Sequence, residues 1–188
     1  SKLDLKPVAI ATVERNTVDV ANAVKVLTAA GPDAVVQISA YKSCAAFIRE
    51  SRKAGFGGTF FNVSFVGTQA LADELGKDGA GVVVSQVVPS PYSSTRPIAR
   101  EFLESIKKAG DVQANFSSME GFLAAKLLTE GIRRAGSGSI TRADLIRGIE
   151  ATGNQSFGSF ITQLSSTNHV ASSFVELSML TGDGRVRT

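Results

Sequence analysis

Two short clusters of polar and aromatic residues each follow an apolar run that has the composition of a buried strand. The runs are residues 34–38 and 59–63, and both are rich in β-branched or aromatic side chains. The residues after these runs that could contact a ligand are Ser39, Tyr41, Lys42, Ser64 and Phe65. Their hydroxyl groups, aromatic rings and single ammonium group can bind a small molecule without transforming it. The competing interpretations are a surface or hinge position for the rings and a solvated surface position for Lys42.

Nucleophilic and metal chemistry find little support in the other residues. Cys44 falls on the apolar face of a predicted helix and has no histidine near it in sequence, which predicts a buried structural cysteine. His169 is the single histidine, and no signature serine accompanies it for a Ser-His-Asp triad. The glycines of residues 55–58 precede a strand, whereas a dinucleotide-binding loop follows one. The sequence therefore predicts no catalytic residue, no metal site and no cofactor.

The pattern of residues 20–67 places the two polar clusters at one edge of a sheet. Apolar residues recur at helical spacing in residues 20–27 and again in residues 44–48. Gly31 and Gly55 follow these two predicted helices and suit left-handed helix ends. Helix and strand alternate, which predicts a βαβ unit with a right-handed crossover. Parallel α/β sheets bind their ligands beyond the carboxyl ends of the strands, where both clusters lie.

Two further apolar runs extend this unit. Residues 7–13 predict a first strand and residues 82–88 predict a last one, with a short helix beginning at Thr68 between them. Residues 7–88 therefore predict about four strands that alternate with three helices. The predicted fold class is α/β, a Rossmann-like, doubly wound and mostly parallel sheet with flanking helices.

The composition changes at residues 89–97, which hold three of the five prolines and predict a crossover between two bodies. Beyond it the sequence predicts helices, of which one is opened by a capping box at residues 117–120 and another is capped at Thr141. The segments predicted to form the closing strands and turn are residues 158–164, 173–180 and 181–184.

Composition and charge exclude several classes of protein. Hydrophobic residues make up 43% of the 188 residues, which is too much for a disordered chain. The net charge is +3 and no run of lysine or arginine exceeds two residues, which argues against a nucleic-acid partner. No apolar run is long enough to span a membrane, and the first residues lack the apolar core of a signal peptide. Because the chain also lacks an initiator methionine, we expect a processed or cut piece of a longer protein.

Several segments occur in an order and spacing known from one protein family. They are AAGPDAVV at 29–36, FIRESRKAG at 47–55, GAGV at 79–82, the helix at 118–136 and the closing segments 157–160 and 174–185. In this order and spacing the chain resembles the type I periplasmic binding proteins that serve branched-chain amino acid ABC transporters. The resemblance extends over nearly all 188 residues, and no single motif carries it. It implies two α/β lobes that close on a ligand in the cleft between them.

The resemblance also implies how the chain divides. Residues 1–88 with 173–188 would form most of the second lobe, and residues 89–172 would form part of the first lobe. The earlier half of the family's first lobe, which usually carries a Ser/Thr-rich loop that grips the ligand carboxylate, has no counterpart here. We therefore expect residues 98–150 to expose apolar surface that favours self-association.

Two site residues can be carried over from the family. Tyr41 matches an aromatic residue that lines the cleft in amino-acid-binding members, and Ser64 stands where those members have an acidic residue that pairs with the ligand's ammonium group. A charge-assisted hydrogen bond is roughly twice as strong as a neutral one, and Ser64 cannot make it with an ammonium group. A small aliphatic or aromatic acid without an amino group therefore competes with an amino acid as the expected ligand.

The function implied by the resemblance is an extracytoplasmic, periplasmic solute-binding receptor that delivers a small ligand to an ABC permease in the membrane. A ligand-sensing domain of a signalling receptor is one alternative, which flanking sequence would distinguish. A truncated α/β enzyme is the other alternative, and the lack of a nucleophile–base pair argues against it.

Overall fold

The computed structural model describes residues 4–188, which form six α-helices and seven strands. The helices are α1 (Ala21–Ala30), α2 (Tyr41–Lys53), α3 (Thr68–Leu75), α4 (Pro97–Ala109), α5 (Phe116–Ala135) and α6 (Arg142–Glu150). The strands are β1 (Ala34–Gln37), β2 (Thr59–Val63), β3 (Val83–Gln86), β4 (Asn154–Phe157), β5 (Phe160–Gln163), β6 (Glu176–Leu180) and β7 (Val186–Arg187). Two 3₁₀ turns occupy Ser64–Val66 and Gly76–Gly79.

The chain divides into two compact units. The first runs to Ser85 and includes Leu177–Thr188, and the second is Gln86–Glu176. Whether these units correspond to the second lobe and part of the first lobe of the periplasmic binding protein fold stays a prediction.

The first unit is built on a sheet with the strand order β1-β2-β3-β6-β7. The first three strands are parallel, and the register places Val35 beside Phe60 and Gln37 beside Asn62. Short crossovers through α2 and α3 make this the βαβ arrangement that the alternating pattern predicts. The predicted α/β class with a mostly parallel sheet and flanking helices is confirmed.

Helices α1, α2 and α3 share one core with the sheet. Their buried apolar residues pack on Val35, Phe60 and Val84, which lie on the same face because side chains alternate along a strand. Phe47 meets Phe60 edge to face, with 6.3 Å between the ring centroids. Each such fully buried side chain contributes about 1.5–3 kcal/mol to stability. On the opposite face, Val36 is 69% exposed.

The helix ends follow from local sequence. Gly31 ends α1 with φ of 58°, a left-handed conformation that glycine adopts without strain. The side chain of Thr141 caps α6 by accepting a hydrogen bond from the Asp144 N–H, as predicted. The predicted capping box at residues 117–120 is wrong. Asn115 caps α5 instead, accepting from the Ser118 N–H at 2.9 Å while the Ser118 hydroxyl accepts from the Asn115 N–H, because an asparagine amide serves as a cap as well as a serine hydroxyl does.

The second unit combines α4, α5 and α6 with the hairpin of β4 and β5. Helices α5 and α6 approach closely at Gly131 and Gly148, where neither residue has a side chain to hold the backbones apart. Phe102 of α4 packs against Phe122 of α5 with 5.5 Å between ring centroids. Residues 158–164, predicted as one strand, contain β5 and the hairpin turn before it, and β4 was not predicted.

The predicted first strand at residues 7–13 is wrong. No described strand includes these residues, although Val8 and Ile10 are strand-forming side chains and are 74% and 76% exposed. A β-branched run forms a strand only when a neighbouring strand accepts its backbone hydrogen bonds, and β1 pairs with β2 alone. Residues 4–86 therefore contain three strands rather than about four.

Candidate ligand-binding edge

The carboxyl ends of β1 and β2 lie side by side. Gln37, the last residue of β1, is the register partner of Asn62 in β2, so the loops that follow leave the sheet at nearly the same level. The structure thus brings the segment that contains Ser39 to the same sheet edge as the segment that contains Ser64. Whether these residues bind a ligand stays a prediction.

Tyr41 and Lys42 open helix α2 at this edge. The Tyr41 ring is half-buried and packs against the core, while Lys42 is exposed with its Nζ 5.9 Å from the Tyr41 ring centroid. A cation over an aromatic face at an exposed site contributes about 0.5–1 kcal/mol. The contact holds the Lys42 ammonium near the tyrosine, so one positive charge lies at the rim of the edge.

The start of α2 adds a second source of positive potential. Ala40, the residue at the N-cap position before the helix, offers no side-chain cap to the N–H groups of the first turn. The 13-residue helix also directs the positive end of its dipole toward this edge. Both features favour a ligand that carries negative charge.

Ser39 lies between β1 and this helix and is half-buried. Its carbonyl oxygen accepts a hydrogen bond from the Cys44 thiol, with the sulfur 3.4 Å away. Burial of Cys44 raises the pKa of the thiol from its usual 9.0 to about 11. The thiol therefore stays protonated at neutral pH, which agrees with a structural role rather than a nucleophilic one.

Ser64 and Phe65 lie in the 3₁₀ turn after β2. The Ser64 carbonyl accepts the Gly67 N–H at 3.2 Å, and Gly67 has φ of 78°, which glycine permits. Ser64 is half-buried, whereas Phe65 is 62% exposed. An exposed phenylalanine beside a hydroxyl can cover a ligand that the sheet edge binds through polar groups.

Asn62, a polar residue within the apolar run 59–63, also lies at this edge. Its side chain is 2% exposed, and neither of its amide atoms has a hydrogen-bond partner among residues 4–188. Gln37 Oε1 beside it is also without a partner, while Gln37 Nε2 donates weakly to the Cys44 carbonyl at 3.4 Å. A polar residue inside an apolar strand was the only available sequence signal. Buried amides without partners mark a place where water or a ligand completes the hydrogen bonds.

The histidine considered for catalysis lies elsewhere. His169 is in the second unit, exposed, with its Nε2 2.9 Å from Glu150 Oε1. Within residues 4–188, no group of three or more histidine, cysteine or acidic side chains is placed to hold a metal ion. None of the helices described over the same residues is both long and apolar enough to cross a membrane.

The geometry defines a class: an α/β unit whose neighbouring parallel strands β1 and β2 are followed by polar loops at one edge of the sheet. A family profile described as periplasmic binding protein matches residues 1–184, so the chain belongs to the periplasmic binding protein family. The members of this family are solute-binding proteins rather than enzymes. A search of curated proteins found no significant match.

Solved structures show the same fold. A possible leucine/isoleucine/valine-binding protein from Rhodopirellula baltica is 29% identical, with a TM-score of 0.87 over 93% of this chain and 48% of that chain. A substrate-binding periplasmic protein from Ralstonia solanacearum is 30% identical, with a TM-score of 0.79 over 92% of this chain and 50% of that chain. A solute-binding protein of an ABC transporter from R. palustris, in complex with benzoate, is 20% identical, with a TM-score of 0.74 over 94% and 47% of the two chains. The chain thus spans about half the length of these proteins.

Proposed function

We propose that this chain supplies one wall of the ligand site in an extracytoplasmic solute-binding receptor of an ABC importer. The observation that carries the proposal is that the polar loops after β1 and β2 leave the sheet side by side. Within these two loops, residues 38–43 and 64–68, Lys42 is the only side chain with a formal charge at neutral pH. Membership of the family and the likeness to the R. baltica and R. solanacearum proteins support the receptor role. The proposal includes a periplasmic location for the receptor and delivery of its ligand to a permease in the membrane.

The proposed ligand is a small carboxylic acid without an amino group. Lys42 and the uncapped first turn of α2 provide positive potential for a carboxylate. No acidic side chain in residues 38–43 or 64–68 is available to pair with an ammonium group, because both segments lack aspartate and glutamate. Tyr41 and Phe65 would pack against the apolar part of the ligand, and Asn62 and Ser64 would supply neutral hydrogen bonds. An aromatic acid such as benzoate combines these features.

Thermal unfolding tests the proposal, with Tyr41 as the substituted residue. The chain is heated with benzoate and, separately, with leucine, isoleucine and valine. Benzoate at a hundred times its dissociation constant should stabilise the folded chain by about 2.7 kcal/mol. Tyr41→Ala should abolish this stabilisation. Tyr92→Ala, which changes the chain's other tyrosine and lies in the second unit, should retain it.

A charge substitution at Ser64 tests the ligand class. Ser64→Asp should weaken benzoate binding and raise the affinity for the three amino acids, because the new carboxylate can pair with their ammonium group. Ser94→Asp adds the same charge at an exposed turn of the second unit and should leave both affinities unchanged. Stabilisation of the unaltered chain by the amino acids alone would contradict the proposed ligand, and no stabilisation by any of the four would contradict the site.

A further inference from the structure

Two amide side chains lie next to each other below the carboxyl edge of β1 and β2. Gln37 and Asn62 are register partners in these two parallel strands, and Asn62 is 2% exposed. Because side chains alternate along a strand, both point to the face on which Val35 and Phe60 are buried. Gln37 Nε2 donates to the Cys44 carbonyl of helix α2 at 3.4 Å. The pair is therefore enclosed between the sheet and this helix.

Three polar atoms of this pair have no hydrogen-bond partner among residues 4–188. They are Gln37 Oε1, Asn62 Oδ1 and Asn62 Nδ2, and all three are buried from solvent. Almost all buried polar atoms in proteins are hydrogen-bonded, because an unpaired one costs free energy. The two oxygens need donors, and the nitrogen needs an acceptor. A partner for the whole set must therefore both donate and accept.

The two amides cannot satisfy each other. If the Asn62 amide donates to Gln37 Oε1, Asn62 Oδ1 still lacks a donor, because an amide oxygen cannot accept from its own nitrogen. Turning either amide over exchanges its two atoms and leaves a different atom unpaired. The neighbouring Cys44 thiol is no donor for this site, because it already donates to the Ser39 carbonyl. At least one group from outside the described residues is needed.

Water matches this site better than an ion does. A cation would pair only with the two oxygens and an anion only with the nitrogen, and burying either charge without a counter-charge is costly. A water molecule donates two hydrogen bonds and also accepts, so it can bridge Gln37 Oε1 and Asn62 Oδ1. A cavity of about 240 Å³ adjoins Gln37 and is also lined by Ser39 and Cys44, which gives water a route to the pair.

We propose that Gln37 and Asn62 bind a buried water molecule, and that this water stays in place when a ligand binds. A carboxylate accepts hydrogen bonds but donates none, so the acid of the proposed function cannot replace the water at Asn62 Oδ1. A hydrogen bond between Asn62 and that acid passes through the water, which is nearly as favourable in enthalpy as a direct contact. This second step rests on the proposed function, whereas the water site itself does not.

Water–protein NOE spectroscopy on the ligand-free chain tests the water site. Cross-peaks between water and a side-chain amide have opposite signs in the laboratory and rotating frames only when the water stays longer than the molecule takes to tumble. The Asn62 amide should show opposite signs. The exposed Asn154 amide of the second unit is the internal control and should show short-lived water only. The absence of long-lived water at Asn62 would overturn the inference.

A matched pair of variants tests whether the two amides share the water. Gln37→Leu changes a half-buried residue and should remove the long-lived water signal at Asn62, because the water loses one of its few polar partners. Gln163→Leu changes an exposed glutamine of the second unit and should keep the signal. A long-lived water at Asn62 in folded Gln37→Leu would overturn the shared site.

Benzoate tests the second step. Thermal unfolding reports whether benzoate binds, and the Asn62 cross-peaks report the water, so the two failures are distinguishable. With benzoate bound, the long-lived water at Asn62 should remain, and its loss would show that the ligand replaces it. If benzoate does not bind, the second step fails together with the proposed function, and the cross-peaks of the ligand-free chain alone decide the water site.

Discussion

Cys44 shows how burial can keep a thiol, a potentially reactive group, in its protonated and unreactive form. The thiol is 1% exposed, and burial is the main cause of its pKa of about 11. The unfolded chain loses the thiol proton near pH 9, whereas the folded chain retains it up to about pH 11. The unfolded state therefore binds fewer protons over this interval, so stability falls as the pH rises.

We expect this difference to be measurable by urea unfolding at pH 8, 9, 10 and 11. Cys44 should lower the free energy of unfolding by about 2–3 kcal/mol between pH 9 and pH 11, because each unit of pKa shift corresponds to 1.36 kcal/mol. Lysines and tyrosines titrate over the same range, so the comparison is with Cys44→Ala, which lacks this contribution. Parallel curves for the two proteins would contradict the assigned cause.

Asn62 is a polar residue that is buried without a hydrogen-bond partner among the described residues. Burial of its amide without a partner costs about 1–3 kcal/mol, a cost that an apolar residue of similar shape would avoid. Asn62 lies beside Gln37 at the carboxyl ends of two strands, which is the edge where the ligand is proposed to bind. The sequence reveals the residue type but not the lack of a partner, because hydrogen-bond partners in a sheet come from distant parts of the chain.

At the scale of elements, the contact between α5 and α6 depends on two glycines. A Cβ at Gly148 would lie 2.9 Å from the Ala135 backbone nitrogen and would also overlap the Gly131 carbonyl. Backbone atoms of a helix cannot move aside cheaply, unlike the end of a flexible side chain. Gly131 faces Ile149 across the same contact. The two helices can therefore approach this closely only while both positions lack a side chain.

Gly148→Ala should lower the free energy of unfolding by about 1–3 kcal/mol, because overpacking outweighs the better helix propensity of alanine. Gly121→Ala provides the matched control in α5, where a Cβ would meet no atom within 4 Å. That variant should gain up to about 1 kcal/mol from helix propensity alone. Equal changes in the two denaturation midpoints would show that the close approach of α5 and α6 has no energetic weight.

At the scale of the whole molecule, local patterns predicted the elements whose partners lie nearby in sequence. The alternation of β1, α2 and β2 follows from residues 34–63, because each element packs on the one before it. The turn at residues 181–184 follows likewise, since it joins the adjacent strands β6 and β7. The strand predicted at residues 7–13 is wrong for the converse reason: a strand needs a pairing partner, and residues 4–188 place none beside this segment. The loops that contain Ser39 and Ser64 follow neighbouring strands, as the pattern predicts, and their role in ligand binding stays a prediction.

The unpartnered apolar surface of the second unit leads to the last prediction. Leu128 and Ile132 lie one helical turn apart on α5 and are each 44% exposed, and Ile146 on α6 is 43% exposed. Apolar side chains one turn apart on an exposed helix face can associate with apolar surface of another copy. The double variant Leu128→Lys, Ile132→Lys should raise the dissociation constant for self-association at least about tenfold, because each lysine must otherwise be desolvated in the interface.

Sedimentation velocity over a range of chain concentrations measures this effect. The control is Val170→Lys together with Val175→Lys, which changes two exposed apolar residues of the same unit by the same charge, at 68% and 67% exposure, outside the α5 face. Association driven by apolar burial should persist at high salt, whereas association driven by charge would weaken there. If the control pair abolishes association and the α5 pair does not, the associating surface lies at residues 170–175 and not on α5.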